Sequence, residues 1–213
     1  MNPPGSDPDE PTRRAHRPGV GRRRAVDARA AREERLAERA RVTDPAVVLA
    51  AGARLLEARA RSATDTRSRL LRSGYPPALV EAAIMRLTEL GFLDDEAFAR
   101  NWVESRDRAR PRGERALRHE LRARGVEHDL VERTLGERAA SMDGEPGEPE
   151  APSADEAAAL RLLERRRRAF DRIEGGRARR QWAYGLLARN GFDPDVAGRV
   201  SARFSGSEST EAE

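Results

Sequence analysis

Three times in this chain a leucine is followed four residues later by a glycine, and then at once by an apolar residue. The triplets are Leu70, Gly74 and Tyr75; Leu121, Gly125 and Val126; Leu187, Gly191 and Phe192. That spacing suits a helix ending in a left-handed glycine, with the leucine and the residue after the glycine touching across the cap. The register continues without a gap. Leu79, Val80 and Ile84 correspond to Leu130, Val131 and Leu135, and then to Val196 and Ala197, with Val200 near the last position. Upstream of each copy lies another helical apolar pattern: Leu55 and Leu56, then Phe98 and Trp102, then Leu160, Leu163 and Phe170. The repeat therefore predicts an all-α fold of three tandem three-helix repeats in an elongated arrangement.

The pattern divides the chain as follows. Residues 1–44 read as a basic, disordered or loosely helical arm, because Ala25–Arg41 offers Val26 and Leu36 as its only large apolar residues. Residues 45–92 form the first repeat, opening with Pro45 after Asp44, and with Val47, Val48, Leu55 and Leu56 as its first stripe. A shorter helix near Asp65–Arg72 stops at Gly74, and Pro76 and Pro77 open the next one. Residues 93–140 form the second repeat. Residues 141–154, SMDGEPGEPEAPSA, read as an acidic flexible linker that lets the third unit move. Residues 155–204 form the third repeat, and 205–213 a polar disordered tail.

The joint between the first two repeats is tight. Gly91 is placed to end one helix, with Leu87 against Phe92 across the cap. Asp94 is placed as the N-cap of the next, Asp95 and Glu96 put negative charge in its first turn, and Leu93 can staple onto Phe98.

The residue inventory removes several kinds of chemistry. The chain has no cysteine, so disulfide and thiolate chemistry are excluded. His16, His119 and His128 lack metal spacing, and no phosphate-loop or dinucleotide glycine pattern occurs. Capping accounts for Asp94 and Asp95 without an acid/base role. The expectation is a non-enzyme with no cofactor, no metal and no catalytic residue. No apolar run approaches bilayer length, so a cytoplasmic protein without membrane contact is expected, as a monomer.

What remains is basic. All 41 lysine-plus-arginine residues are arginine, and they are segregated from the acids along the chain. Arg106, Arg108, Arg110, Arg112, Arg115, Arg118, Arg122 and Arg124 flank Pro111. Arg165, Arg166 and Arg168 lie in a second basic stretch that continues through Arg172 and Arg177 to Arg179 and Arg180. Bases outnumber acids in both stretches, which suits phosphate or an acidic protein as partner. Trp102, Trp182 and Tyr184 occupy apolar helical positions and are expected in the core rather than stacked on bases.

The run Leu93-Asp94-Asp95-Glu96-Ala97-Phe98-Ala99, followed by Arg106, Gly113, Leu117, Leu121, Gly125 and Val126, resembles the signature of the RecX regulatory proteins. Tyr184, Leu187, Arg189, Gly191 and Phe192 extend the resemblance into the third repeat, so that it spans roughly residues 46–204. Thr66 stands where the family usually has leucine, the arm is long, and Ser141–Ala154 looks like an insertion. The resemblance implies a partner, the RecA–single-stranded DNA filament, and limits on RecA strand exchange, ATP hydrolysis and coprotease activity. On that reading, units one and two are expected to form the rigid body that contacts RecA, with the arginines around Pro111 and in Arg165–Arg180 facing acidic RecA surfaces or the DNA strand. The competing reading is an autonomous helix-turn-helix-like DNA-binding protein.

Overall fold

The computed structural model describes residues 19–140 and 152–206, with no side chains described before residue 27. Among these residues there are helices and no strands. The order is α1 (Gly19–Ala40), α2 (Pro45–Ala58), α3 (Ala63–Arg72), α4 (Pro77–Glu89), α5 (Asp95–Ala109), α6 (Glu114–Ala123), α7 (His128–Ala140), α8 (Ala154–Glu164), α9 (Arg167–Phe170), α10 (Gly176–Arg189) and α11 (Pro194–Gly206).

Each repeat closes around its own apolar cluster. In the first, Val48, Leu70, Val80, Ala83, Ile84, Leu87 and Leu93 pack together; in the second, Phe98, Ala99, Val103, Leu117, Leu121, Val126, Val131 and Leu135. The third is built on Leu162, Leu163, Phe170, Leu187, Phe192, Val200 and Phe204, among others. The clusters share no residue, so three small cores stand in a row where one large core would need more apolar side chains than this chain has.

The glycine caps form as the spacing predicts. Gly74, Gly125 and Gly191 all have positive φ. The backbone N–H after each glycine donates to the carbonyl of the repeat leucine, Tyr75 to Leu70 at 3.4 Å, Val126 to Leu121 at 3.2 Å and Phe192 to Leu187 at 3.3 Å. Thr66 is fully buried, and its hydroxyl donates back to the Ser62 carbonyl at 2.9 Å, which satisfies the polar group inside the core.

Several local expectations change. Gly91 caps α4, with the Phe92 N–H donating to the Leu87 carbonyl at 2.9 Å, but the Phe92 ring is 62 % exposed. Leu93 takes the buried place in the first core instead, while Phe98 belongs to the second, so the staple between them gives way to a division between units. Val47 is exposed, because α2 turns Val48 and Gly52 inward. Phe170 is carried by the short extra helix α9 rather than by the first helix of its unit.

The arm also changes. Residues 1–18 lie outside the described residues, and 19–40 are helical. The last turns of α1 rest on the α3 cap: Leu36 lies where a Cβ on Gly74 would touch it at 3.0 Å, and Arg39 donates to the Ser73 carbonyl. One leucine and one arginine are enough to dock an otherwise polar helix. Of the linker, residues 141–151 lie outside the described residues, and Ser153 already caps α8 through a reciprocal capping box with Glu156. The tail residues 207–213 are likewise outside.

Successive units meet at helix ends, and the two joints are built alike. At the first, the Ala63 N–H opening α3 donates to the Asp95 carboxylate of α5 at 2.8 Å, and the Ser62 hydroxyl donates to the Arg124 carbonyl that ends α6. At the second, the Glu114 N–H opening α6 donates to both Asp155 oxygens of α8 at 3.1 Å, and the Gly113 N–H donates to the Asn190 carbonyl that ends α10 at 3.1 Å. Arg138, with a side chain only 8 % exposed, bridges Asp107 at 2.9 Å and Asp155 at 2.7 Å across the second joint. The third unit is thus bonded directly to the second.

Gly125 and Gly91 separate two costs of the same substitution. Both have positive φ, but a Cβ at Gly125 overlaps Thr64 of the preceding unit, whereas one at Gly91 meets nothing within 4 Å. Gly91→Ala should cost about 1 kcal/mol of backbone strain, and Gly125→Ala about 3 kcal/mol once crowding at the joint is added. Urea unfolding of both variants checks the difference.

Candidate functional site

The arginines singled out from the sequence separate into two groups. One group is held by bonds and ring contacts within the protein. Arg118 on α6 donates to Glu132 on α7 through two nitrogens, at 2.8 and 2.9 Å, and to Glu114 at 2.6 Å. Arg106 and Arg124 lie over the Trp102 ring, 4.2 and 3.6 Å from its centroid. The Trp102 indole N–H and Arg106 both donate to Glu120, at 2.9 and 2.7 Å. Arg112 reaches Asn190 of the third unit at 2.6 Å. Arg165 donates to the Ala109 and Arg108 carbonyls at the end of α5 at 2.6 and 2.5 Å, closing that helix from the third unit. Arg179 donates to the Ile173 carbonyl at 2.8 Å.

The other group faces solvent: Arg108, Arg110, Arg115, Arg122, Arg166 and Arg168 are exposed. Arg115 and Arg122 stand seven residues apart on α6, with exposed His119 between them, so the three form one outward stripe. The sequence offered no means of sorting the two groups, because most of the partners that hold the first group, such as Glu120, Glu132, Asn190 and the α5 carbonyls, come from other helices.

The electrostatics follow this division. Hydrogen bonds from Arg118 hold the Glu132 carboxyl below its ordinary pKa, and that bond raises the arginine's own value. Burial pushes Asp95 up, with the Ala63 N–H opposing only part of the shift. Burial also lowers Arg124, consistent with its place against Trp102. Asp94 caps α5 as read, with the Ala97 N–H donating to it at 2.9 Å. Asp95 instead leaves its own helix and joins the preceding unit. Asp155 holds the same place in the first turn of the third unit's first helix and makes the same kind of joint. Aligning Asp95-Glu96-Ala97 with Asp155-Glu156-Ala157 would have paired the two acids. Trp102 and Trp182 pack against cores as expected, but Tyr184 is 40 % exposed and belongs to the surface. No described helix is long and apolar enough to cross a membrane, and no described acidic or histidine cluster could hold a metal ion.

Core, caps and joints define a tandem three-helix repeat protein with a basic outer face. The family description "RecX, second three-helix domain" matches residues 94–135, the unit that carries the Arg115–Arg122 stripe. A "Regulatory protein RecX" of Mycolicibacterium smegmatis is 34 % identical over 147 residues, covering 68 % of this chain and 72 % of the relative. Another, of Thermobifida fusca, is 36 % identical over 147 residues and covers 69 % and 72 %. The crystal structure of RecX from Lactobacillus salivarius has the same fold, with a TM-score of 0.58 at 15 % identity over 73 % of this chain and 93 % of that one. The chain belongs to the RecX family of regulatory proteins.

Arg118→Ala should return the Glu132 carboxyl to the ordinary glutamate range, read by carboxyl NMR titration. The sign follows from linkage. A depressed carboxylate pKa stabilises the fold above the ordinary glutamate value, and that contribution is lost as pH falls through the lowered one. The variant should therefore lose part of its stability at neutral pH, and its stability should depend less on pH in the acid range than the parent's does.

Proposed function

We propose that this protein regulates RecA recombinase, mainly as an inhibitor, by lodging on the RecA–single-stranded DNA filament. There it limits ATP hydrolysis, strand exchange and coprotease activity during DNA repair. It does so in the cytoplasm, as a monomer and without a cofactor. The observation that carries the reading is the outward stripe of Arg115 and Arg122 in the unit matched by the family description. Two joints made by direct bonds between units support it further, since units tied to one another can keep such a stripe in register with a repeating polymer.

A helix-turn-helix reading would place the last helix of a unit in the major groove. In the matched unit that helix is α7, whose outer face carries Asp129, Glu132 and Glu137 against Arg133. Val131, Thr134 and Leu135 commit that helix to the core, where a recognition helix would present exposed polar residues, so the autonomous DNA-binding alternative is the weaker one.

RecA ATPase on single-stranded DNA, with substoichiometric protein added, tests the proposal. Inhibition at a low molar ratio is expected. Arg115→Ala/Arg122→Ala removes two exposed charges without touching a core, and should raise the concentration needed by about tenfold. Arg118 is left in place because it braces α6 against α7. Undiminished inhibition by the folded double variant would remove the stripe from the mechanism; no inhibition by the parent protein would remove RecA.

A further inference from the structure

Units one and two close the groove between their middle and last helices with the same ion pair. Arg67 on α3 meets Glu81 on α4 at 2.8 Å, and Arg118 on α6 meets Glu132 on α7 at 2.8 Å. The repeat register, anchored on Leu70, Leu121 and Leu187, carries these positions to Tyr184 on α10 and Gly198 on α11. The third unit therefore has an aromatic ring in place of the arginine and no side chain in place of the glutamate. The groove stays open as a hollow of about 450 Å³, lined by Arg177, Arg180, Gln181, Tyr184, Gly198 and Ser201. A Cβ at Gly198 would meet nothing within 4 Å, so the glycine leaves real space beside the ring.

The lining has a definite chemistry. Arg177, Arg180, Gln181 and Tyr184 recur at helical spacing on one face of α10. Among the described residues neither Arg177 nor Arg180 has an ion-pair partner, unlike Arg179 between them, which is held by the Ile173 and Asp171 carbonyls. Along the helix axis the arginines stand roughly 6 and 10 Å from the tyrosine, about the reach of successive phosphates on an extended strand. We propose that this groove binds single-stranded nucleic acid, with a base stacked on Tyr184 over the Gly198 gap and phosphates on Arg180 and Arg177. An acidic peptide would satisfy the arginines but leave the ring and the gap unused. The proposal does not rest on RecA binding, and it places nucleic acid on a different unit from the Arg115–Arg122 stripe.

The test is fluorescence anisotropy of a labelled oligothymidylate with the full chain, without RecA, over a salt series. Tyr184→Ala should weaken binding at least about fivefold, and Tyr184→Phe, which keeps the ring, should stay within about twofold. Arg177→Ala/Arg180→Ala should reduce the slope of log affinity against log salt by about 1.4. The decisive variant is Tyr184→Arg/Gly198→Glu, which copies the pair that closes the other two grooves and leaves net charge unchanged. It should lose at least about tenfold in affinity with its helix content intact. Parent-like binding by that variant, no binding by the parent chain, or displacement of the oligonucleotide by an equal concentration of a polyglutamate peptide would each overturn the proposal. RecA ATPase on single-stranded DNA, measured with the same variants, is expected to stay inhibited as by the parent chain, so the two readings fail separately.

Discussion

The structure depends on what happens at helix ends. A helix leaves its first N–H groups and last carbonyls without partners inside itself. Here the open starts of the first two middle helices are answered from the following unit. Ala63 finds Asp95, Glu114 finds Asp155, and the C-terminal carbonyls of Arg124 and Asn190 accept from Ser62 and Gly113. The left-handed glycines allow this, because a side chain at Gly125 or Gly191 would occupy the space that Thr64 or Ala116 now fills. The same residue that ends a helix thus admits the neighbouring unit.

Such joints make a different kind of protein from one organised by a single core. Three small clusters each bury one face of three or four helices, and polar bonds at the ends fix how one unit follows the next. Arginine suits both demands. Arg138 and Arg165 reach across the second joint to carboxylates and carbonyls, whereas Arg115 and Arg122 keep their charge in solvent. The planar, many-donor head allows the first use, and its permanent charge allows the second. The α1 helix extends the scheme backwards, with Leu36 and Arg39 covering the Gly74 cap as a preceding unit would.

Repetition also makes departures readable. Where two units hold an Arg–Glu pair and the third holds tyrosine and glycine, the difference lies in side chains alone, since the helices and caps keep their register. The third unit departs again in α9, which brings Phe170 against Phe204 with ring centroids 4.9 Å apart. Identical frames with unlike surfaces are how one repeat architecture can serve more than one partner.

The sequence by itself determined the repeat. Leucine, glycine and apolar residue at fixed spacing specify helix, stop and cap through local sterics and backbone hydrogen bonds, and these need no knowledge of the rest of the chain. Family membership was legible for the same reason, since Leu93–Ala99 and the caps are local motifs. Tertiary structure alone decided which arginines are free. Arg115 and Arg118 are indistinguishable in composition and sit in the same helix, yet one is exposed and the other is gripped by Glu132, a residue from another helix. It also decided that Phe92 stays outside while Leu93 enters the core, and that Asp95 serves the preceding unit. Each of these outcomes rests on partners distant in the chain, and a distance across space is what a linear pattern does not carry.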